Sequence, residues 1–495
     1  MSPMSVDNAR IAKNTVYLYI RMIFVLGANF FAVRVLLEAL GFDDYGLFNL
    51  IVGFVTLFTL LNGAMQSTVQ RFLCFELGKE TGGDTKAVFA VCLVLFAALA
   101  GLILLASETV GLWFVNCKLN IPPARAHSAA IVYQLSILVM LAKTMQIPFT
   151  ALIVSYERMG VFAKISIVEA VLTLGAALAL KFLSGDLLIW YTSLYTLATL
   201  VVVAVYAGFC RAHFAEARFP RQIERNRIGA IGSFFSWNVF GAISSILKQQ
   251  GLNVLLNLFF GVALNATWAL SNKIAMAINQ LVANFQQAFQ PQIIKLWAPE
   301  DKTAYYDLLC MTSKCSYYLL LVCVLPLICF TDFFIGLWLK GELPEQLTLF
   351  VRLSIAFSLT ESLAMPFCTG LQATGKIAVY QVVVSAITSS VFFIGWWMFA
   401  HGFPAWWVLV FNLVASLASH AYRVGHLGVK AGFPIWKYVV TSMLPVCMVT
   451  SCCAAVLLLN PLFACLMSPV IVFALGMSSS ERRLIRRAFI RRMSK

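Results

Sequence analysis

An all-α integral membrane protein with about fourteen transmembrane helices is predicted by three features of this sequence. The first is composition: 61% of the 495 residues are hydrophobic and only 12% charged, with a mean hydropathy of +0.86. Ordinary globular chains carry roughly twice that charge, and a water-soluble fold of this length could not hide so much apolar surface. The second is run length. Ala87–Ser107 is uncharged throughout, enough as a helix to cross a hydrocarbon core of about 30 Å. The third is punctuation. Ile377–Tyr422 and Tyr438–Ser480 contain no Asp, Glu, Lys or Arg, and Pro404 and Asn460-Pro461 divide each into two spans.

Counting apolar runs against turn and charge punctuation gives the spans in order. The first six are 14–38, 45–77, 87–115, 126–150, 161–183 and 187–211. The next six, after the basic stretch Arg211–Arg227, are 229–258, 264–292, 304–330, 347–371, 377–400 and 404–425. Two more, 435–458 and 461–477, complete the set. The run after Arg10 and Lys13 is long, is interrupted by Arg21 and lacks a small-residue cleavage site, so it reads as a retained helix. The expected organisation is an N-terminal six-helix bundle over 1–211, a basic linker at 212–227, a second six-helix bundle over 228–430, two extra helices at 431–479 and a basic tail at 480–495.

Loop charges set the orientation. With the N-terminus cytoplasmic, the outward gaps hold only Lys118, Arg125, Lys181 and Lys340, against 24 basic residues in the inward gaps and at the two ends. Both termini are therefore expected in the cytoplasm, and this bias accounts for most of the +15 net charge without nucleic acid. In the tail, Ile485, Phe489 and Met493 fall on one face among seven basic residues, as in an interfacial helix on anionic lipid. Most of the thirteen cysteines, among them Cys92, Cys323, Cys329, Cys447, Cys452 and Cys453, lie in apolar runs and read as small hydrophobes; Cys117 lies in an outward loop. No zinc spacing occurs.

The halves resemble each other weakly. Arg10-Ile11 recurs as Arg227-Ile228, Gly41 aligns with Gly261, Leu61 with Leu281, and Ala64–Gln70 with Asn284–Gln290 so that both glutamines coincide. Repeated halves are how many transporters build a site near the bilayer midplane.

Polar residues sit where hydrocarbon makes them expensive. Asn265, Asn272, Asn279 and Gln286 recur every seven residues along the eighth span, with Lys273, Gln280 and Gln287 beside them and Gln290 beyond. The second span repeats this with Thr59, Asn62, Gln66 and Gln70. Such stripes are expected to line a wet cavity rather than only to join helices. Of the charges, Arg21 lies two turns into the first span, Lys248 near the middle of the seventh and Lys273 in the eighth. Arg34 and Arg352 lie near outer ends, where they either join the cavity cations or reach to the interface. Arg71 and Lys314 read as residues of the inner edge. Lys143 and Glu169 lie at similar depth and are expected to pair. Glu361, in the middle of the tenth span, is left with two roles, pairing with a cavity cation or carrying a coupling proton. A cavity lined by cations suits an anion, and a guanidinium suits phosphate.

The segment Leu40-Gly-Phe-Asp-Asp-Tyr-Gly-Leu-Phe-Asn49, with Leu61-Asn-Gly-Ala64, Gln70-Arg-Phe-Leu73 and Tyr156-Glu-Arg-Met159, resembles the Wzx-type oligosaccharide flippases. These belong to the multidrug/oligosaccharidyl-lipid/polysaccharide (MOP) exporter superfamily, together with lipid II flippases and MATE drug exporters. The resemblance implies two pseudo-symmetric six-helix bundles around a MATE-like V-shaped cavity that opens alternately to either side. It implies a bacterial inner-membrane protein moving an oligosaccharide on undecaprenyl diphosphate outward for surface polysaccharide such as O-antigen or lipopolysaccharide. A polysaccharide polymerase would then be a partner, and the chain a monomer. Arg21, Lys248, Lys273, Arg34 and Arg352 would bind the diphosphate, and Asn62, Gln66, Gln70, Asn272, Asn279, Gln280, Gln286 and Gln290 the sugars. The drug-exporter branch generally uses a carboxylate in its first span, and this chain has none there at mid-depth. No cofactor is expected, and neither a nucleotide-binding loop nor clustered histidines suggest a membrane enzyme.

Overall fold

The computed structural model describes residues 8–56, 62–79, 83–117, 123–217, 225–339, 346–478 and 481–482, and among them every regular element is helical. The helices are α1 (Asn8–Thr56), α2 (Asn62–Leu77), α3 (Thr85–Ala106), α4 (Leu112–Cys117), α5 (Ala126–Ser155), α6 (Met159–Ala179), α7 (Leu187–His213) and α8 (Arg225–Lys295). They continue as α9 (Thr303–Cys329), α10 (Thr331–Leu339), α11 (Leu347–Thr374), α12 (Ala378–Ala400), α13 (Trp406–Ala431), α14 (Ile435–Tyr438), α15 (Leu444–Leu459) and α16 (Pro461–Ile471). Eleven helices among the described residues are long and apolar enough to cross a membrane, with a shorter apolar one at Pro461–Gly476. The second and eighth sequence-predicted spans are absent from that set: α2, the helix described in the second, has only 16 residues, and the amide stripe lowers the hydropathy of the eighth. Both are nonetheless helical wherever described.

Two glycines break otherwise continuous helices. Gly41 in α1 has φ 75° and ψ 174°, and Gly261 in α8 has φ 80° and ψ −174°. This region of backbone space is essentially closed to residues with a Cβ. The two glycines occupy matched positions in the internal repeat, so the halves share a local backbone solution as well as a trace of sequence.

The chain divides into two compact units, Asp7–Ala242 and the region from Ile243 onward. In the first, α5 is central and touches α1, α2, α3, α6 and α7. Its apolar residues occupy every face, and Val132, Tyr133, Ile137 and Met140 join Val35, Phe48, Ile103, Ala177 and Tyr191 in one core. At one end Arg125 clasps three helices: its guanidinium donates to Asp44 of α1 and, at 3.1 Å, to Asp186, the N-cap of α7. At the other, the Tyr156–Met159 segment makes the turn between α5 and α6. Glu157 adopts φ 57° there, with its buried carboxylate 3.5 Å from Arg10, while Arg10 donates to the Tyr156 carbonyl at 2.8 Å.

In the second unit α11 packs on α9 and α13, and α9 carries the extra helices. Tyr317, Leu321 and Leu325 of α9 meet Val449, Cys453, Ala464 and Ile471. Asn460 caps α16 by accepting from the Phe463 amide at 3.2 Å, so the predicted Asn460-Pro461 break is a helix start. Lys314, expected at an inner edge, is buried, donates to Glu481 at 2.9 Å and to the Thr441 carbonyl at 3.3 Å, and so fastens the segment after α16 to α9. In the first unit Arg71, the other residue expected there, is buried with its guanidinium over the rings of Phe72, Phe75 and Phe234. The tail expected to form an interfacial helix lies, beyond residue 482, outside the described residues.

Two outcomes follow. Gly41→Ala and Gly261→Ala should each destabilise the protein by about 1–3 kcal/mol through backbone strain, because an added Cβ meets no atom at either site; chemical unfolding in detergent reads this. Burial alone raises the Glu481 pKa, but hydrogen bonds from Lys314 and the Ser478 amide, with the Lys314 charge, hold it below the ordinary value. The stability it supplies is therefore present above the ordinary glutamate pKa and lost as pH falls through the depressed one. Glu481→Gln should remove that acid sensitivity, measured as the pH dependence of the melting midpoint.

Candidate functional site

The second unit contains a polar pocket of ≈120 Å³ built by α8, α11 and α13. Lys248 is its charged group. The Lys248 Nζ donates to Asn412 Oδ1 at 3.2 Å and stands 4.8 Å from the centre of the Phe357 ring. Gln249, Asn272 and Asn279 complete a wall of amides, and Trp268 and Ser354 line the same space. The Trp268 indole N–H and the Ser354 hydroxyl are buried and have no protein partner. Among the described residues no carboxylate lines this pocket. Its groups can accept and donate to a hydroxylated ligand, and Lys248 can hold an anion.

The helix period explains which predicted residues arrive here. Seven residues return the chain to nearly the same face, whereas one residue turns it by about 100°. Asn272 and Asn279 therefore enter the pocket together, while Lys273 and Gln280, one position on, are exposed on another face. The stripe is not one continuous lining. Gln286 donates to the Ser362 carbonyl of α11 at 3.0 Å and so joins helices, and Gln290 is half-buried. Asn265 and Asn62 have side chains outside the described residues, and Thr59 lies outside them altogether. Gln66 is half-buried and Gln70 fully so, its Nε2 without a protein partner.

The remaining charges separate by environment. Arg21, in the first unit, is partly buried with its guanidinium 4.4 Å from the Phe162 ring and in the electrostatic reach of Tyr206 and Glu169. The Arg21 Nε is buried and makes no hydrogen bond. Lys143 Nζ lies 3.5 Å from Glu169 Oε1 and 3.2 Å from the Tyr195 hydroxyl, to which it donates. Arg34 is exposed and bonds Glu38 one turn along its own helix at 3.3 Å. Arg352 is exposed and donates to Thr331 Oγ1 at 3.4 Å. Neither Arg352 nor Lys273 lines the Lys248 pocket. An exposed cation near a helix end keeps its hydration, so nothing draws it into an apolar wall.

Glu361 has company that its sequence neighbours did not disclose. It accepts from Ser416 Oγ of α13, and both Lys248 and Arg423 are its electrostatic neighbours. Arg423, near the end of the predicted span 404–425, is buried beside Tyr380. Its position three residues after His420, on a helix with alternating polar positions at Asn412, Ser416 and Ser419, was the available signal. The His420 Nε2 pairs with the Tyr438 hydroxyl at 3.0 Å, a neighbouring-helix contact.

No family model matches the chain, and no curated protein does. Solved structures share its fold. A MOP superfamily transporter from Pyrococcus furiosus, for which reverse polarity of the binding pocket suggests a different function, aligns with a TM-score of 0.69 at 11% identity, covering 86% of this chain and 98% of that one. A MATE in complex with MaD3S gives 0.72 at 12%, covering 85% and 96%. An outward-facing multidrug resistance MATE family transporter of the MOP superfamily gives 0.67 at 11%, covering 86% and 99%. At such identity the likeness is one of fold: two pseudo-symmetric bundles of the MATE/MOP type.

The Lys143–Glu169 pair makes a further expectation. Lys143→Glu and Glu169→Lys should each destabilise by about 3 kcal/mol, because each leaves like charges together in a poorly hydrated site. The double exchange should recover more than half of the summed loss, as measured by a double-mutant cycle of unfolding midpoints.

Proposed function

We propose that this protein is a flippase that moves a polyprenyl-diphosphate-linked oligosaccharide from the cytoplasmic to the outer leaflet of a bacterial inner membrane. The observation that carries this reading is the Lys248 pocket: an ammonium beside four amides on a partly apolar wall, with no lining carboxylate among the described residues. The transporter fold is the setting in which such a pocket serves passage.

The physical task explains the composition. A hydrated sugar chain and a diphosphate cannot cross hydrocarbon cheaply, while the polyprenyl tail can stay in lipid. Asn272, Asn279 and Asn412 would replace water around sugar hydroxyls. Lys248 would hold phosphate oxygens in the second unit, and Arg21 is the candidate cation of the first. Glu361, already satisfied by Ser416 and flanked by cations, is read as a pairing carboxylate that holds Lys248 and Arg423 in place. Neither opening can be favoured strongly, since the cargo must also leave. In this reading the termini face the cytoplasm, the tail rests on anionic lipid, and a polysaccharide polymerase uses the product.

A cation-coupled drug exporter is the second reading, favoured by the MATE neighbours of the same fold. Against it, the first predicted span, 14–38, carries no carboxylate before Glu38 at its end, and the pocket's charged group is a cation.

Proteoliposomes holding a labelled polyprenyl-diphosphate oligosaccharide test the proposal. Wild type should exchange the lipid between leaflets, and Lys248→Ala or Arg21→Ala should each slow exchange about tenfold or more, the loss of one charge-assisted contact. Equal rates in all three would remove the anion site. Export of cationic dyes by wild type, with no lipid exchange, would favour the second reading.

A further inference from the structure

Cys329 and Cys465 are brought together by the fold from positions 136 residues apart. Cys329 is the last residue of α9, and Cys465 lies in the second turn of α16. Their sulfurs are 3.7 Å apart, which is contact distance for two thiols. Both are partly exposed, and Cys329 packs against the apolar cluster that seats α15 and α16 on α9. In this they differ from Cys92 and Cys210, which are sealed in the interior. As separate members of apolar runs they read as small hydrophobes; as a pair they have chemistry available.

We propose that Cys329 and Cys465 form an intramolecular disulfide in the native membrane. The inference rests on the orientation proposed above. With the basic residues inside, the end of α9 and the α15–α16 turn both lie at the outer face, the side on which disulfides form and persist. The oxidant is a disulfide-bearing thiol oxidant of that compartment. The thiolate of one cysteine attacks it and displaces one thiol, giving a mixed disulfide. The thiolate of the second cysteine attacks the protein sulfur of that intermediate and displaces the other thiol. The protein loses two protons and two electrons, and the oxidant becomes two thiols. A disulfide is about 2 Å long, so side-chain rotation has to close the remaining gap.

The bond would complete a fastening already present along the same helices. Lys314 and Glu481 join α9 to the segment after α16, and Tyr317 meets Thr450 of α15 at 2.8 Å between the two ends. A link at Cys329–Cys465 pins the remaining corner of the extra helix pair, so that it moves with α9 as one body.

Thiol trapping tests this. Cells expressing the full chain are quenched with N-ethylmaleimide, and the protein is digested without reductant and mapped by mass spectrometry. Wild type should yield a Cys329–Cys465 linked peptide that dithiothreitol abolishes, with almost no alkylation at either cysteine. Cys465→Ser should yield alkylated Cys329, and Cys329→Ser alkylated Cys465. Alkylation of both in wild type overturns the proposal. A second arm treats purified wild type with diamide. Linkage only under diamide would mean that the pair faces a reducing compartment and that the orientation is wrong. No linkage even then would mean that the geometry is wrong. Transport is not measured in either arm, so the result stands apart from the flippase reading.

Discussion

An ionised side chain in hydrocarbon must find a partner, and most of this architecture follows from that constraint. Lys143 is met by Glu169 and Tyr195, Lys314 by Glu481, and Glu361 by Ser416. Arg71 and Arg21 also lie against aromatic faces. Each solution ties together helices that hydrophobic packing alone would hold weakly, because lipid competes for apolar contact as effectively as a neighbouring helix does. Lys248 is met by an amide and a ring, with Glu361 of α11 in electrostatic reach.

Backbone geometry carries the second constraint. Within a bilayer a chain can depart from the helix only where the freed polar groups are sheltered. Gly41 and Gly261 make that departure at equivalent points of the two halves. The helices beyond them bear the amide stripes that are too polar to register as ordinary spans. The repeat thus conserves a mechanical feature, a kink followed by a polar helix, more visibly than it conserves residues. That explains why its sequence trace is faint while the matched glycines coincide in conformation.

The extra helices show the same division between local and distant information. Asn460-Pro461 announces a break in the sequence and caps α16 in the structure. What the hairpin rests on is invisible locally, since Lys314 is 167 residues from Glu481 and Cys329 is 136 from Cys465. Those contacts turn α9 into a common support for the second bundle and the helices appended to it.

Composition, run length and loop charge were enough to predict a helical membrane protein and its spans, because hydrocarbon imposes a length and an apolarity that each segment meets alone. The correspondence of Gly41 with Gly261, the break at Asn460-Pro461 and the pairing depth of Lys143 and Glu169 were likewise legible, since each depends on local pattern or on distance along a span. Burial of Lys314, Arg71 and Arg423 was not, and neither was the division of the eighth span's stripe among a pocket, a helix contact and an exposed face. Those outcomes depend on which helix lies opposite, and a periodicity of 3.6 residues fixes a face without saying what it faces. Only tertiary packing decides that.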